Sequence, residues 1–223
     1  VRIPKDSPLR KTLKLVNPLG EDTSIMRTII LPSMLDILAR NYAMKNKGVK
    51  LYELGRVYLP VDGQDLPEEP RHLIFGTYGE HENFFTMKGE IDALLALLNV
   101  KPAEYVANRE NPSYHPGRCA DILIDGKLAG TIGQIHPLVA ETYGIGGEVY
   151  VADLDFTTIE ASLAEERVSH SLPRFPAVTR DLALVCDETL TVGELERCIS
   201  AAAGKLLRKI NLFDIYRGPG VAA

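Results

Sequence analysis

The first candidate for chemistry in this sequence is a carboxylate within an alternating segment, VKLYELGRVYLP. Side chains two residues apart on a strand share a face, so Glu53 falls on the face that also carries Leu51 and Val57. A carboxylate on an apolar face must be paired with a cation or protonated. Arg27 and Arg40, beside and within a predicted helix, are the available cations. The pattern favours a buried structural ion pair that fixes helix on strand, rather than a catalytic acid or base.

The second candidate is a pair of side chains in RKINLFDIYRG, near the end of the sequence. Alternation places Asp214 and Tyr216 on one face of a predicted strand, opposite Phe213. An exposed tyrosine can stack on a base, and a neighbouring carboxylate can accept hydrogen bonds from guanine. The alternative is a tyrosine that fills a sheet edge beside an aspartate that caps a turn. Three cations nearby could neutralise phosphates, namely Arg208, Lys209 and Arg217.

Familiar catalytic motifs are absent from the sequence, including phosphate-binding loops, the GxSxG elbow and HExxH. The five histidines have no metal-ligand spacing, and the three cysteines are too widely spaced for a zinc site or a disulfide framework. We therefore predict no catalytic residue and no metal site. A competing hypothesis is an independent nucleotide- or small-molecule-binding enzyme that uses Glu53, Arg56 and the turn from His115 to Arg118.

Composition places the chain among ordinary globular proteins. It has 223 residues, of which 45% are hydrophobic and 25% charged, and this length suits one large domain with a small domain or a fragment. The formal net charge is -5, and residues 172–223 are nearly neutral, with seven basic and six acidic side chains. An acidic body argues against nucleic-acid binding over the whole surface. Without a long apolar run or a signal core we expect no membrane contact and a cytoplasmic protein.

Hydrophobic periodicity predicts the elements that position these residues. A helix is expected from Leu31 to Tyr42, and another around Met87 to Leu98. Asp125-Gly126 predicts a hairpin, and HLIFGTYG and EVYVADLDF read as strands. After a boundary near residue 168, RDLALVCD predicts a strand, and Thr191 with Glu194 predicts a capping box that opens a helix. RKINLFDIYRG then predicts a second strand, giving a strand–helix–strand unit.

Several sequence blocks, in a fixed order and over nearly the whole chain, carry a family resemblance. They are NPLGEDTSIMRTIILPSMLDILARN, LYELGRVYLP, FFTMKGEID, HPGRCADI with GTIGQIHP, and LPRFPAVTRDLALV with LFDIYRG. Together they resemble the C-terminal part of the bacterial phenylalanyl-tRNA synthetase beta chain. The resemblance implies an α+β fold. Residues 1–168 would form a class II synthetase-like antiparallel sheet with flanking helices, and residues 169–223 a truncated, ferredoxin-like anticodon-binding βαβ unit.

The resemblance also implies that this catalytic-like module has no active site. A working class II site needs an arginine on its second motif and a glycine-rich third motif with another arginine. LYELGRVY has the strand context of the second motif, but no third motif follows it. ATP and magnesium are accordingly expected in the holoenzyme and not in this chain.

The partners implied by the resemblance are an alpha chain, in an assembly of two alpha and two beta chains, and the anticodon of tRNA(Phe). The family places the Asp and Tyr of its LFDxYxG strand at the first anticodon base, which corresponds to Asp214 and Tyr216 here. The remaining strand, helix and strand of the ferredoxin-like domain are not in this sequence, so we expect a half-built sheet. A sheet-face RNA module independent of any synthetase is a third hypothesis.

Overall fold

The structure is a computed structural model of the chain, and it describes residues 1–163 and 174–218. The chain divides into two compact units, residues 1–167 and 168–223. The helices are α1 (Leu31–Ala43), α2 (Phe84–Leu97), α3 (Pro137–Thr142), α4 (Phe156–Ala161) and α5 (Val192–Ala203). The strands are β1 (Val49–Arg56), β2 (Arg71–Tyr78), β3 (Glu104–Ala107), β4 (Tyr114–Ile124), β5 (Lys127–Ile135) and β6 (Tyr150–Asp155).

The first unit is built on one six-stranded sheet, and the expected class of an antiparallel sheet with flanking helices is confirmed. Its strand order is β1-β2-β6-β5-β4-β3, and each of these pairings is antiparallel. The predicted hairpin joins β4 to β5, where Asp125 and Gly126 both have positive φ. The order leaves β1 and β3 at the two edges of the sheet.

Helices cover both faces of the sheet because the central strands alternate apolar side chains on both sides. On β2 and β6, Ile74 and Val151 point to one face, whereas Leu73 and Leu154 point to the other. The apolar stripe of α1 packs on the first face, and that of α2 packs on the second. Their buried anchors are Leu31, Met34, Leu35 and Leu38 in α1, and Met87, Ile91 and Leu95 in α2.

Local signals fix the helix starts. Asn83 caps α2, because its side chain accepts from the Phe85 and Thr86 amides at 2.8 and 3.0 Å. Thr191 caps α5 as predicted: its hydroxyl accepts from the Glu194 amide, and the Glu194 carboxylate accepts from the Thr191 amide at 2.8 Å. Pro32 sits in the first turn of α1, where a missing amide hydrogen costs nothing.

The two strands predicted for the second unit are not formed in residues 174–218, the part of that unit that the structure describes. Both segments are extended and largely exposed, with Leu184 and Phe213 at 54% and 73% exposure. A strand needs a neighbour for its amide and carbonyl groups. A split βαβ unit leaves room for another strand between its two strands, and neither predicted segment has a strand partner within the described residues.

Candidate functional sites: the polar sheet face and the nucleic-acid interface

Glu53 forms an ion pair with Arg27 on the α1 face of the sheet. Arg27 Nη2 donates to Glu53 Oε1 at 2.7 Å, while its Nε donates to the Arg56 carbonyl at 2.8 Å and its Nη1 lies 3.4 Å from Ser33 Oγ. The pair lies over Gly55, where a Cβ would collide with the guanidinium and with Glu53 Oε1. Arg27 is therefore held by three groups at the junction of β1 and α1.

Two expectations about this pair are corrected. The side chains of Arg27 and Glu53 are 30% and 32% exposed, so the pair is only partly buried, because β1 is an edge strand with one neighbour. We therefore expect Glu53 to contribute about 1 kcal/mol, rather than the roughly 3–5 kcal/mol expected of a buried pair. Arg40 does not reach this site; it is exposed in the last turn of α1 and lines a surface cavity with Asp36 and Tyr143.

A second polar pair lies next to the first, on β2 and β6. His72 Nδ1 is 2.7 Å from Asp153 Oδ1, and both side chains are largely buried. Burial alone lowers the pKa of His72, but the hydrogen bond and charge of Asp153, aided by Asp155, outweigh it and raise the pKa above its ordinary value. This pair could not be predicted from the sequence, because it depends on the pairing of strands about eighty residues apart.

The raised pKa of His72 predicts a pH-dependent stability. A group protonated more readily in the folded state stabilises it fully below the unfolded pKa of about 6.5, and this stability is lost as the pH rises through the folded pKa. We expect the free energy of unfolding, measured with urea, to fall between pH 6 and pH 8.5. The fall should be larger in the wild type than in His72→Gln. Equal losses of stability in both proteins, or a His72 pKa below 6.5 measured by NMR, would contradict the raised pKa.

The residues of the competing enzyme hypothesis do not converge. Arg56 points to the opposite side of β1 from Glu53 and pairs with Glu69 at 2.9 Å. The turn from His115 to Arg118 lies on β4, four strand spacings from β1, or about 19 Å. The His115 imidazole accepts from the Gly117 amide at 3.1 Å. The geometry therefore gives this hypothesis no common site.

The α1 face does not fit a nucleotide or a magnesium ion. The Arg27 guanidinium is engaged by a carboxylate, a carbonyl and a hydroxyl and is therefore not free to bind a phosphate. Within residues 1–163 and 174–218, no group of three or more His, Cys, Asp and Glu side chains is arranged to hold a metal ion. We derive no catalytic step through ATP or magnesium on this chain.

The predicted RNA-binding residues all lie on the exposed segment after α5. Tyr216 is 63% exposed, and Asp214 beside it is exposed. Arg208 and Lys209 are exposed where the segment begins. Arg217 Nε lies 3.5 Å from Glu188 Oε1, and both side chains are mostly in solvent. The segment thus offers an aromatic ring, a carboxylate and three cations, without the strand geometry that would fix their spacing.

No helix in the described ranges is long and apolar enough to cross a membrane.

Comparisons with known proteins identify both units. Residues 2–156 match the family model of the phenylalanyl-tRNA synthetase beta chain CLM domain, and residues 173–223 match that of the ferredoxin-fold anticodon-binding domain. The solved structure of pyrrolysyl-tRNA synthetase from Desulfitobacterium hafniense superposes with a TM-score of 0.55 at 14% identity, covering 74% of this chain and 61% of that one. At this identity the likeness shows the fold.

Curated relatives match the chain from end to end. The phenylalanine–tRNA ligase beta subunit of Clostridium acetobutylicum is 40% identical over 222 residues, 99% of this chain and 28% of that protein. The beta subunits of Symbiobacterium thermophilum and Bacillus subtilis are 39% and 38% identical, over 99% and 92% of this chain and 26% and 27% of their own lengths. The chain thus spans little more than a quarter of these relatives. On these matches it belongs to the family of phenylalanyl-tRNA synthetase beta chains.

Proposed function

We propose that this chain is a non-catalytic part of the beta subunit of phenylalanine–tRNA ligase, which charges tRNA(Phe) with phenylalanine at the expense of ATP. Residues 1–168 act as the catalytic-like scaffold for the alpha chain, and residues 169–223 contribute part of the anticodon-binding domain. The observation that carries the proposal is the occupation of Arg27 by Glu53 and of Arg56 by Glu69. Arg56, the arginine of the segment that resembles the second motif, is thus paired with a carboxylate rather than free for a phosphate.

The whole enzyme is proposed as a cytoplasmic assembly of two alpha and two beta chains, with ATP and magnesium bound outside this chain. Membership of the beta-chain family supports the alpha partner, and the anticodon-binding match supports the tRNA partner.

A surface suited to the alpha chain is the arm formed by residues 13–26, which carries exposed apolar side chains and which we call the N-terminal arm. Its two halves pair through Leu15 and Ser24 at 2.9 Å and through Met26 and Leu13 at 2.8 Å. Val16 and Leu19 at its tip are almost fully exposed, at 94% and 103%. Exposed apolar side chains grouped in this way are typical of an interface.

Pyrophosphate exchange tests the non-catalytic part of the proposal. We expect the purified chain to give no ATP-dependent, phenylalanine-stimulated exchange above background, because its sequence has neither the glycine-rich third motif nor a phosphate-binding loop. The alpha chain with a full-length beta chain provides the active control. Exchange by the purified chain alone would refute the proposal.

A further inference from the structure

A cavity of about 310 Å³ opens at the end of the sheet where β2 stops and β6 begins. It lies apart from the α1-face ion pair, beside the last turn of α1 and the turn that leads into α2. Two tyrosines and three carboxylates dominate its lining. The lining residues are Tyr42, Lys47, Tyr78, Glu80, Glu82 and Glu148, with backbone from Gly79 and Gly147.

Two buried polar atoms in this lining have no hydrogen-bond partner in the described structure. They are the Tyr78 hydroxyl and Glu82 Oε2. Tyr78 is only 4% exposed, and the Glu82 side chain is 12% exposed, with its other oxygen 3.1 Å from Lys50 Nζ. Leaving such groups unpaired is costly, and both side chains line the cavity, so a ligand in the cavity that bonded to both would offset that cost.

The two atoms together define the chemistry of that group. An ionised carboxylate oxygen only accepts hydrogen bonds, and a phenol oxygen has lone pairs to offer. A ligand with at least two N–H donors can therefore address both. A charged donor is favoured over a neutral one, because charge-assisted bonds to a carboxylate are roughly twice as strong.

The aromatic side chains of the cavity point to the same class of ligand. Tyr42 and Tyr78 meet edge to face with ring centroids 5.6 Å apart, and tyrosine faces attract a cation within about 6 Å. Glu80 is an exposed acid of the lining, whereas Glu148 is already engaged by Arg118 and by the Tyr150 hydroxyl at 2.7 and 2.6 Å. Lys47, also in the lining, is exposed to solvent.

We propose that this cavity binds an alkylguanidinium or alkylammonium group, with Tyr78 and Glu82 as its hydrogen-bonding partners. The group belongs either to a free amine or to an arginine or lysine side chain of a partner chain, and both sources offer the same donors. The binding does not depend on the scaffold role proposed above, since none of its residues is part of the N-terminal arm or of the α1-face pair.

NMR titration of the 223-residue chain tests the proposal with methylguanidinium and propylammonium as cations and N-methylurea as a neutral, shape-matched control. We expect saturable shifts of the Gly79 and Gly147 amides with the cations, and affinity at least tenfold lower for the urea. Equal affinity for the neutral probe, or no saturable shift with either cation, would overturn the proposal.

Variants locate the site. Glu82→Gln is expected to weaken methylguanidinium binding at least tenfold and Tyr78→Phe about threefold, whereas Glu141→Gln, an exposed change on α3, leaves it unchanged. Tyr78→Phe removes an unpaired buried hydroxyl, so it should fold with an unchanged or raised melting temperature. Retained affinity in a folded Glu82→Gln variant would refute the assignment.

Adding the alpha chain distinguishes the two sources of the cation. Displacement of methylguanidinium by the alpha chain indicates a partner side chain in the cavity, and undiminished binding indicates a free amine. Either result supports the cation site.

Discussion

Replacing Gly130 with alanine is expected to destabilise the first unit by about 3 kcal/mol, at the upper end of the usual cost of overpacking. A Cβ at this position on β5 would lie 2.9 Å from Leu154 Cα and would also collide with the Asp153 carbonyl oxygen. Both atoms belong to the backbone of β6, which is hydrogen-bonded on both sides and cannot move aside as a side chain would. Urea unfolding followed by circular dichroism measures the change.

A matched control is Gly89→Ala on α2. A Cβ there meets nothing within 4 Å, so the change is expected to stabilise the protein by about 0.5–1 kcal/mol, the difference in helix propensity. A Gly130→Ala variant within 0.5 kcal/mol of the wild type would show that the β5–β6 contact is looser than described.

Tyr216→Ala in a full-length beta chain is expected to weaken tRNA(Phe) binding by about 1–3 kcal/mol whichever base is present, because it removes a stacking surface. Asp214→Asn should instead relax discrimination for guanine at the first anticodon position, since an amide cannot accept from guanine as a carboxylate does. Side chains two residues apart on a strand lie about 6.5–7 Å from each other, which allows the pair to address one base.

Aminoacylation kinetics with wild-type and anticodon-substituted tRNA separate these two effects. Tyr216→Phe keeps the ring and serves as the control that should behave as the wild type. In the 223-residue chain the segment is not a strand, so we expect weak or no RNA binding there. Unchanged kinetics for both Tyr216→Ala and Asp214→Asn would remove the RNA-contact assignment.

Elements set by local chemistry could be predicted from the sequence. Helix α1 is predicted by the apolar stripe from Leu31 to Leu38, and helix α5 by the Thr191–Glu194 capping box. Each of these signals lies within one or two helical turns. Asp125-Gly126 gave the β4–β5 hairpin for the same reason. The family resemblance added the class of sheet, which periodicity alone does not specify.

Features that depend on distant pairing could not be predicted. Glu53 lies on the predicted face of β1, but the exposure of its side chain follows from the position of β1 at the edge of the sheet. The short strand β3 has little alternation of its own and exists through its pairing with β4. The segment around Phe213 has strand alternation yet forms no strand in the described residues, because alternation cannot supply a neighbouring strand.

The scaffold role is tested most directly by binding of the alpha chain, measured by size-exclusion chromatography with light scattering. We expect the 223-residue chain and the alpha chain to elute as one complex. Val16→Asp with Leu19→Asp, at the tip of the N-terminal arm, should weaken the complex at least tenfold. Leu128→Asp, at an apolar residue of the β4–β5 hairpin that is 59% exposed, should not. Separate elution of the two wild-type chains at micromolar concentration would contradict the account.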